Sequence, residues 1–209
     1  MHRALSCLPV LLVLGICVPT VPAAMIVPGQ VLYAAPAEPD PLGGTVLATT
    51  GPLPFVAATF SGTLTTTVLA GDASNPFGGL TFTYLLQNSA ASAHAIGRLT
   101  VTSYAGFLTD ASFQAGPGVS PALVERSLSS DVMAFAFLPA PLGPSALLPG
   151  SSSALLVVQT SASAYAPGIA SVIDGSVVQV ASMQPVPEPA TLSLIALSLL
   201  GVLSRTRRT

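Results

Sequence analysis

His94 is the one histidine between residues 24 and 209, so any imidazole chemistry in the body of this 209-residue chain would run through it. Asp72 or Asp110 would be the acid that orients it in a Ser-His-Asp site. No serine sits in a Gly-x-Ser-x-Gly elbow, and a loop histidine in an Ala/Ser stretch is the simpler reading. Both cysteines, Cys7 and Cys17, precede residue 24, and one imidazole without thiols excludes the usual zinc constellations. Glycoside hydrolysis needs two carboxyl groups facing one another across a cleft. Asp110, Glu125 and Asp131 are the acids nearest one another in sequence, but Glu125 and Asp131 flank Arg126 and read as a polar loop with a local ion pair. Asp72 and Asn75 offer oxygen ligands without the spaced acids and closing Glu of a calcium loop, and an Asx-type turn into Gly78 and Gly79 accounts for them. Those two glycines precede neither a helix nor a lysine, so they cradle no phosphate. Tyr33, Tyr84, Tyr104 and Tyr165 would be a sugar-stacking platform; with no tryptophan beside them they read as core or interface residues. The expectation is a protein that is not an enzyme, with no catalytic residue, no cofactor and no metal site.

Charge is sparse. Between residues 24 and 186 the cations are Arg98 and Arg126, against Glu38, Asp40, Asp72, Asp110, Glu125, Asp131 and Asp174, and the chain has no lysine. A weakly acidic, lysine-free body excludes nucleic acid and anionic lipid as partners, since both require clustered cations. With both cysteines near the start, no disulfide is expected in the body. A body of this length is enough for one domain to bury a core without such staples.

The tail is different in kind. Val186-Pro187-Glu188-Pro189 cannot be helical, because each proline lacks an amide proton and holds the residue before it extended. Such a stiff, extended stretch suits a protease or transpeptidase cleft. Residues 190–203 follow without charge and favour helix. Residues 190–204 would span roughly 22 Å, short of a ~30 Å hydrocarbon core, a gap that snorkelling arginines and local thinning would close. Arg205, Arg207 and Arg208 then form a cytoplasmic stop, which places the body outside. A plain membrane anchor and a buried helix with a basic end are the alternatives.

These three parts, in this order over residues 186–209, resemble the PEP-CTERM sorting signal of Gram-negative bacteria. The resemblance implies an exosortase-type membrane transpeptidase that recognises Pro187, Glu188 and Pro189 and processes the tail. It implies passage through the inner membrane, then residence at the cell surface or in the extracellular matrix. The start of the chain agrees: Arg3 with His2, an apolar run over residues 4–18, and Val21-Pro22-Ala23 form a signal peptide with signal-peptidase cleavage after Ala23. A lipoprotein reading at Cys17 would require a small residue where Ile16 stands.

The body reads as β. Threonine, valine and aromatics alternate with small polar residues, and Gly, Pro, Asn and Asp break the pattern at short intervals. Strands are expected at residues 55–60, 62–68, 80–84, 99–102, 132–138, 154–160, 170–173 and 176–180. In the clearest of them Leu80, Phe82 and Tyr84 share one face and threonines the other, with 99–102 as its neighbour. Asp174-Gly175 signals a two-residue hairpin of the I′ type. Residues 36–54 and 139–149 read as loops or edge-covering connections, and 89–93 is too short to stand alone as a helix. The fold class is all-β, a single antiparallel β-sandwich of immunoglobulin or jelly-roll kind, flanked by an N-terminal signal helix and a C-terminal transmembrane helix. The expected division is a signal peptide at 1–23, the exported domain at 24–183 and the sorting signal at 184–209, with residues 184–189 as a linker.

Asn75-Pro76-Phe77-Gly78-Gly79-Leu80-Thr81-Phe82, Gly106-Phe107-Leu108-Thr109-Asp110 and Ala170-Ser171-Val172-Ile173-Asp174-Gly175 resemble elements of small PEP-CTERM proteins with no assigned activity. The resemblance implies a structural or adhesive protein of exopolysaccharide or biofilm. A surface-displayed carbohydrate-binding module, a secreted hydrolase and a plain anchored membrane protein are its rivals.

Overall fold

Residues 25–142 and 146–187 are described in the computed structural model, and every regular element among them is a strand. In chain order these are β1 (Val31–Tyr33), β2 (Ala37–Glu38), β3 (Thr45–Val56), β4 (Ser61–Ala70), β5 (Thr81–Asn88) and β6 (Arg98–Val101). There follow β7 (Thr109–Gln114), β8 (Leu123–Arg126), β9 (Met133–Ala136), β10 (Leu155–Thr160), β11 (Ala164–Asp174) and β12 (Ser176–Val186). They make two six-stranded sheets, ordered β1-β8-β9-β6-β11-β12 and β2-β7-β10-β5-β4-β3. The short β2 runs parallel to β7.

Period-two alternation puts every second residue between the sheets. Leu64, Val68, Phe82 and Leu156 from one sheet meet Leu99, Val124, Phe135 and Val172 from the other in one buried cluster. Each such side chain contributes about 2 kcal/mol by leaving water. The all-β, two-sheet architecture expected from the alternation is therefore present. The signal helix over residues 1–23 and the transmembrane helix over 190–203 lie outside the described residues. Among the described residues no helix is long and apolar enough to cross a membrane.

Several local expectations are corrected. Most of the expected loop 36–54 is β3, which tolerates Pro52 and Pro54 because it is the edge of its sheet, where a missing amide interrupts no second ladder. Register shifts between Val46 and Ala48 and between Thr50 and Leu53 absorb the breaks. Residues 57–60, expected to be strand, turn the chain instead, and the Ala57 amide donates to the Phe60 carbonyl. β6 does not lie beside β5. It sits in the opposite sheet between β9 and β11. The chain crosses over because the Asn88 side-chain amide holds the His94 and Leu147 carbonyls at 3.0 and 2.9 Å, while Ala93 and His94 donate to the Thr59 carbonyl. The β11–β12 hairpin forms, but its register is centred on Gly175 (φ +63°), with Asp174 opposite Ser176, so the connection is not a two-residue turn.

The threonine face of β5 is not a solvent face. Thr81 and Thr83 are buried, because residues 39–44 and 71–79 fold over the outside of that sheet. Asp72 fastens the cover: Oδ1 accepts from the Leu42 and Ser74 amides at 2.9 and 3.0 Å, and Oδ2 accepts from Thr81 Oγ1 and Gln159 Nε2 at 2.7 and 3.0 Å. The Asx turn expected at Asp72 and Asn75 is present, with Asn75 Oδ1 receiving the Phe77 amide.

Candidate functional site: the strand into the tail and a buried carboxylate cluster

β12 pairs with β11 over its whole length, and the last pairs are Tyr165 with Pro185 and Ala164 with Val186. Gln184, Pro185 and Val186 are thus strand rather than linker. Pro185 is buried and tolerated because β12 is a sheet edge. Pro187 is the first exposed residue beyond the ladder. Two contacts tie this hairpin to the opposite sheet: the Thr66 and Ser182 hydroxyls share a buried hydrogen bond at 3.0 Å, and Tyr165 Oη donates to the Leu47 carbonyl at 3.3 Å. Glu188, Pro189, Arg205, Arg207, Arg208 and the expected cleavage site at Ala23 lie outside the described residues.

The second site was not legible in the sequence. Glu38 ends β2, Asp40 follows it, and Asp110 stands on β7; one oxygen from each lies within 4.8 Å of the other two. Asp40 is held over the outer face of β7 by Ser112, whose hydroxyl donates to Oδ2 at 2.8 Å. Asp110 is fully buried, and neither carboxylate oxygen has a hydrogen-bond partner. Burial, then the negative charges of Glu38 and Asp40, push its carboxyl up to about 7; the Ala111 amide acts in the opposite sense without forming a hydrogen bond to either oxygen. Burial also raises Asp40, partly offset by Ser112, and raises Glu38, with Asp40 adding to the effect. Burial pushes Asp72 upward too, but the hydrogen bonds from Ser74, Thr81 and Leu42 outweigh it and leave that carboxyl below its ordinary value.

The other candidate residues are placed apart. His94 Nδ1 lies 3.4 Å from Asp174, not against Asp72 or Asp110. Glu125 pairs with Arg98 rather than with Arg126. Arg126 spends its guanidinium on the carbonyls of Ser130, Ile26, Tyr104 and Phe107, and Asp131 accepts the Ser103 amide. Asp110, Glu125 and Asp131 therefore share no cleft: Asp110 faces out from one sheet and Glu125 belongs to the other. The tyrosines form no platform either. Tyr84 and Tyr104 are in the core, Tyr33 is exposed on β1, and Tyr165 is on β11.

What this geometry defines is an all-β domain whose final edge strand ends at Val186, with Pro187 exposed directly after it. Residues 185–208 match the family model of the PEP-CTERM protein-sorting motif. The motif implies export, sorting to the cell surface and an exosortase as processing partner. No curated protein and no solved structure matches the chain.

Proposed function

We propose that this chain is a non-catalytic β-sandwich exported with its signal peptide, held transiently in the inner membrane by residues 190–203, and processed by exosortase at Pro187, Glu188 and Pro189. Its work at the surface or in the extracellular matrix of a Gram-negative bacterium is structural or adhesive, among exopolysaccharide or biofilm. The observation that carries this reading is the match to the sorting motif at residues 185–208, set directly after the last ladder pair of β12. The dispersal of His94, Glu125 and Asp131 over separate partners supports a role without catalysis.

The test is the intact mass and C-terminal peptide of the native protein from its own host. Loss of residues beyond Pro189, with added mass at the new end, is the expected result. A tail running unprocessed to Thr209 would instead make the protein a plain anchored one.

A further inference from the structure

We propose that Glu38, Asp40 and Asp110 bind a calcium ion beneath the connection from β2 to β3. Three acids close together are not a site in themselves. What points to a ligand here is Asp110, which is fully buried, carries two unpartnered oxygens, and is turned into the space it shares with Glu38 and Asp40. Buried polar atoms in folded proteins find partners, and one that lacks them calls for an explanation, an ion or a water among them.

A second buried acceptor without a partner stands on the neighbouring strand. Gln159 stands directly opposite Asp110 in the β7–β10 register, so both side chains rise from one face with Cβ atoms about 5 Å apart. Its Nε2 is turned to Asp72 and Ser74, and its buried Oε1 has no donor. The unmet groups are therefore all acceptors. No described cation is free to serve them: Arg98 is with Glu125, Arg126 with four carbonyls, and His94 with Asp174.

The donor set selects the ion. It is made of carboxylate oxygens with no nitrogen or sulfur, which suits a hard cation and disfavours zinc or copper. Calcium accepts six to eight oxygens in irregular geometry, whereas magnesium demands a near-ideal octahedron and keeps several waters. A close group of three carboxylates, with Asp40 and Asp110 buried, fits the former. The ion would fasten the two-residue β2, and the loop after it, to β7 on the outer face of the sheet. Such a clasp would form only where calcium is plentiful.

The experiment uses the full-length chain in mild detergent, stripped with EDTA and titrated with calcium chloride by calorimetry and thermal melting. Saturable binding with Kd on the order of 10⁻⁴ to 10⁻³ M, the range of extracellular calcium modules, and a rise in Tm are expected. Asp110→Asn and Glu38→Gln should each weaken binding at least tenfold. The EDTA melt of Asp110→Asn should lie at or above that of the wild type, which separates a lost ligand from a lost fold. Absence of saturable binding at about 10 mM calcium, well above that range, would overturn the proposal. Binding undiminished in both variants, or saturation by magnesium in preference to calcium, would also overturn it.

Discussion

Tyr84 and Tyr104 meet at the centre of the sandwich, both fully buried, with hydroxyl oxygens 2.7 Å apart and the Tyr104 ring edge-on to Phe82. Each phenol is the other's partner, so removing one hydroxyl strands its neighbour. Tyr104→Phe should cost about 1–3 kcal/mol in denaturant melts. Burial holds both phenols above their ordinary range; the hydrogen bond between them offsets this in Tyr84 and adds to it in Tyr104. The sign follows: the unfolded chain ionises near pH 10 and the folded chain does not, so stability falls as pH rises past about 10. Followed at the tyrosinate absorbance band, Tyr84 and Tyr104 should ionise only as the protein unfolds. Arg126 is the other residue on which several segments depend, since its planar fork holds the carbonyls of Ile26, Tyr104, Phe107 and Ser130 together. Lysine keeps the charge but not the fork, so Arg126→Lys should lose about 3 kcal/mol or more by chemical denaturation.

Among the elements, β12 is where fold and sorting meet. Its ladder with β11 continues to Val186 and leaves no slack before Pro187. A transpeptidase gripping the Pro-Glu-Pro segment in a cleft, as proposed above, would work hard against the sandwich. Inserting about six Gly/Ser residues, roughly 14 Å of flexible chain, between Val186 and Pro187 should speed processing in the host without altering the melt of the domain. Unchanged or slower processing would show that the enzyme tolerates or requires the close approach. Gly79 serves the β4–β5 connection in another way. A Cβ there would collide with the Thr160 and Ala162 carbonyls, so Gly79→Ala should destabilise by about 1–3 kcal/mol in the same melts.

At the scale of the whole molecule, the two sheets are joined by one apolar core and fastened at one side by Thr66–Ser182 and Tyr165–Leu47. The second sheet also carries a polar layer on its outside, beneath residues 39–44 and 71–79, and that layer contains Asp40, Asp72, Asp110 and Gln159. A chain with so few charges has concentrated three of its acids under one cover, with Glu38 beside Asp40 and Asp110. Simultaneous replacement of Glu38 and Asp110 by their amides should therefore raise the melting temperature in EDTA, because it removes like charges from a buried site.

Periodicity and tail composition were readable from the chain because each is a local property. Alternation every second residue specifies strand and inward face wherever it occurs, as at Phe82 and Tyr84, and the tail's proline, apolar and arginine blocks are contiguous. Edge strands were harder: the prolines and Gly51 of β3 look like loop until the sheet order shows that only one side of that strand is paired. Pairing itself is non-local. Nothing between residues 80 and 102 states that β5 and β6 belong to opposite sheets. Likewise, Glu38 and Asp40 lie far along the chain from Asp110, and only closure of β2 onto β7 brings their oxygens together. The sequence by itself determined that this is a β protein with a sorting tail, because hydrophobic period and peptide geometry act over a few residues. Tertiary structure alone decided which acids share a buried site, because burial and like-charge proximity exist only once distant strands have paired.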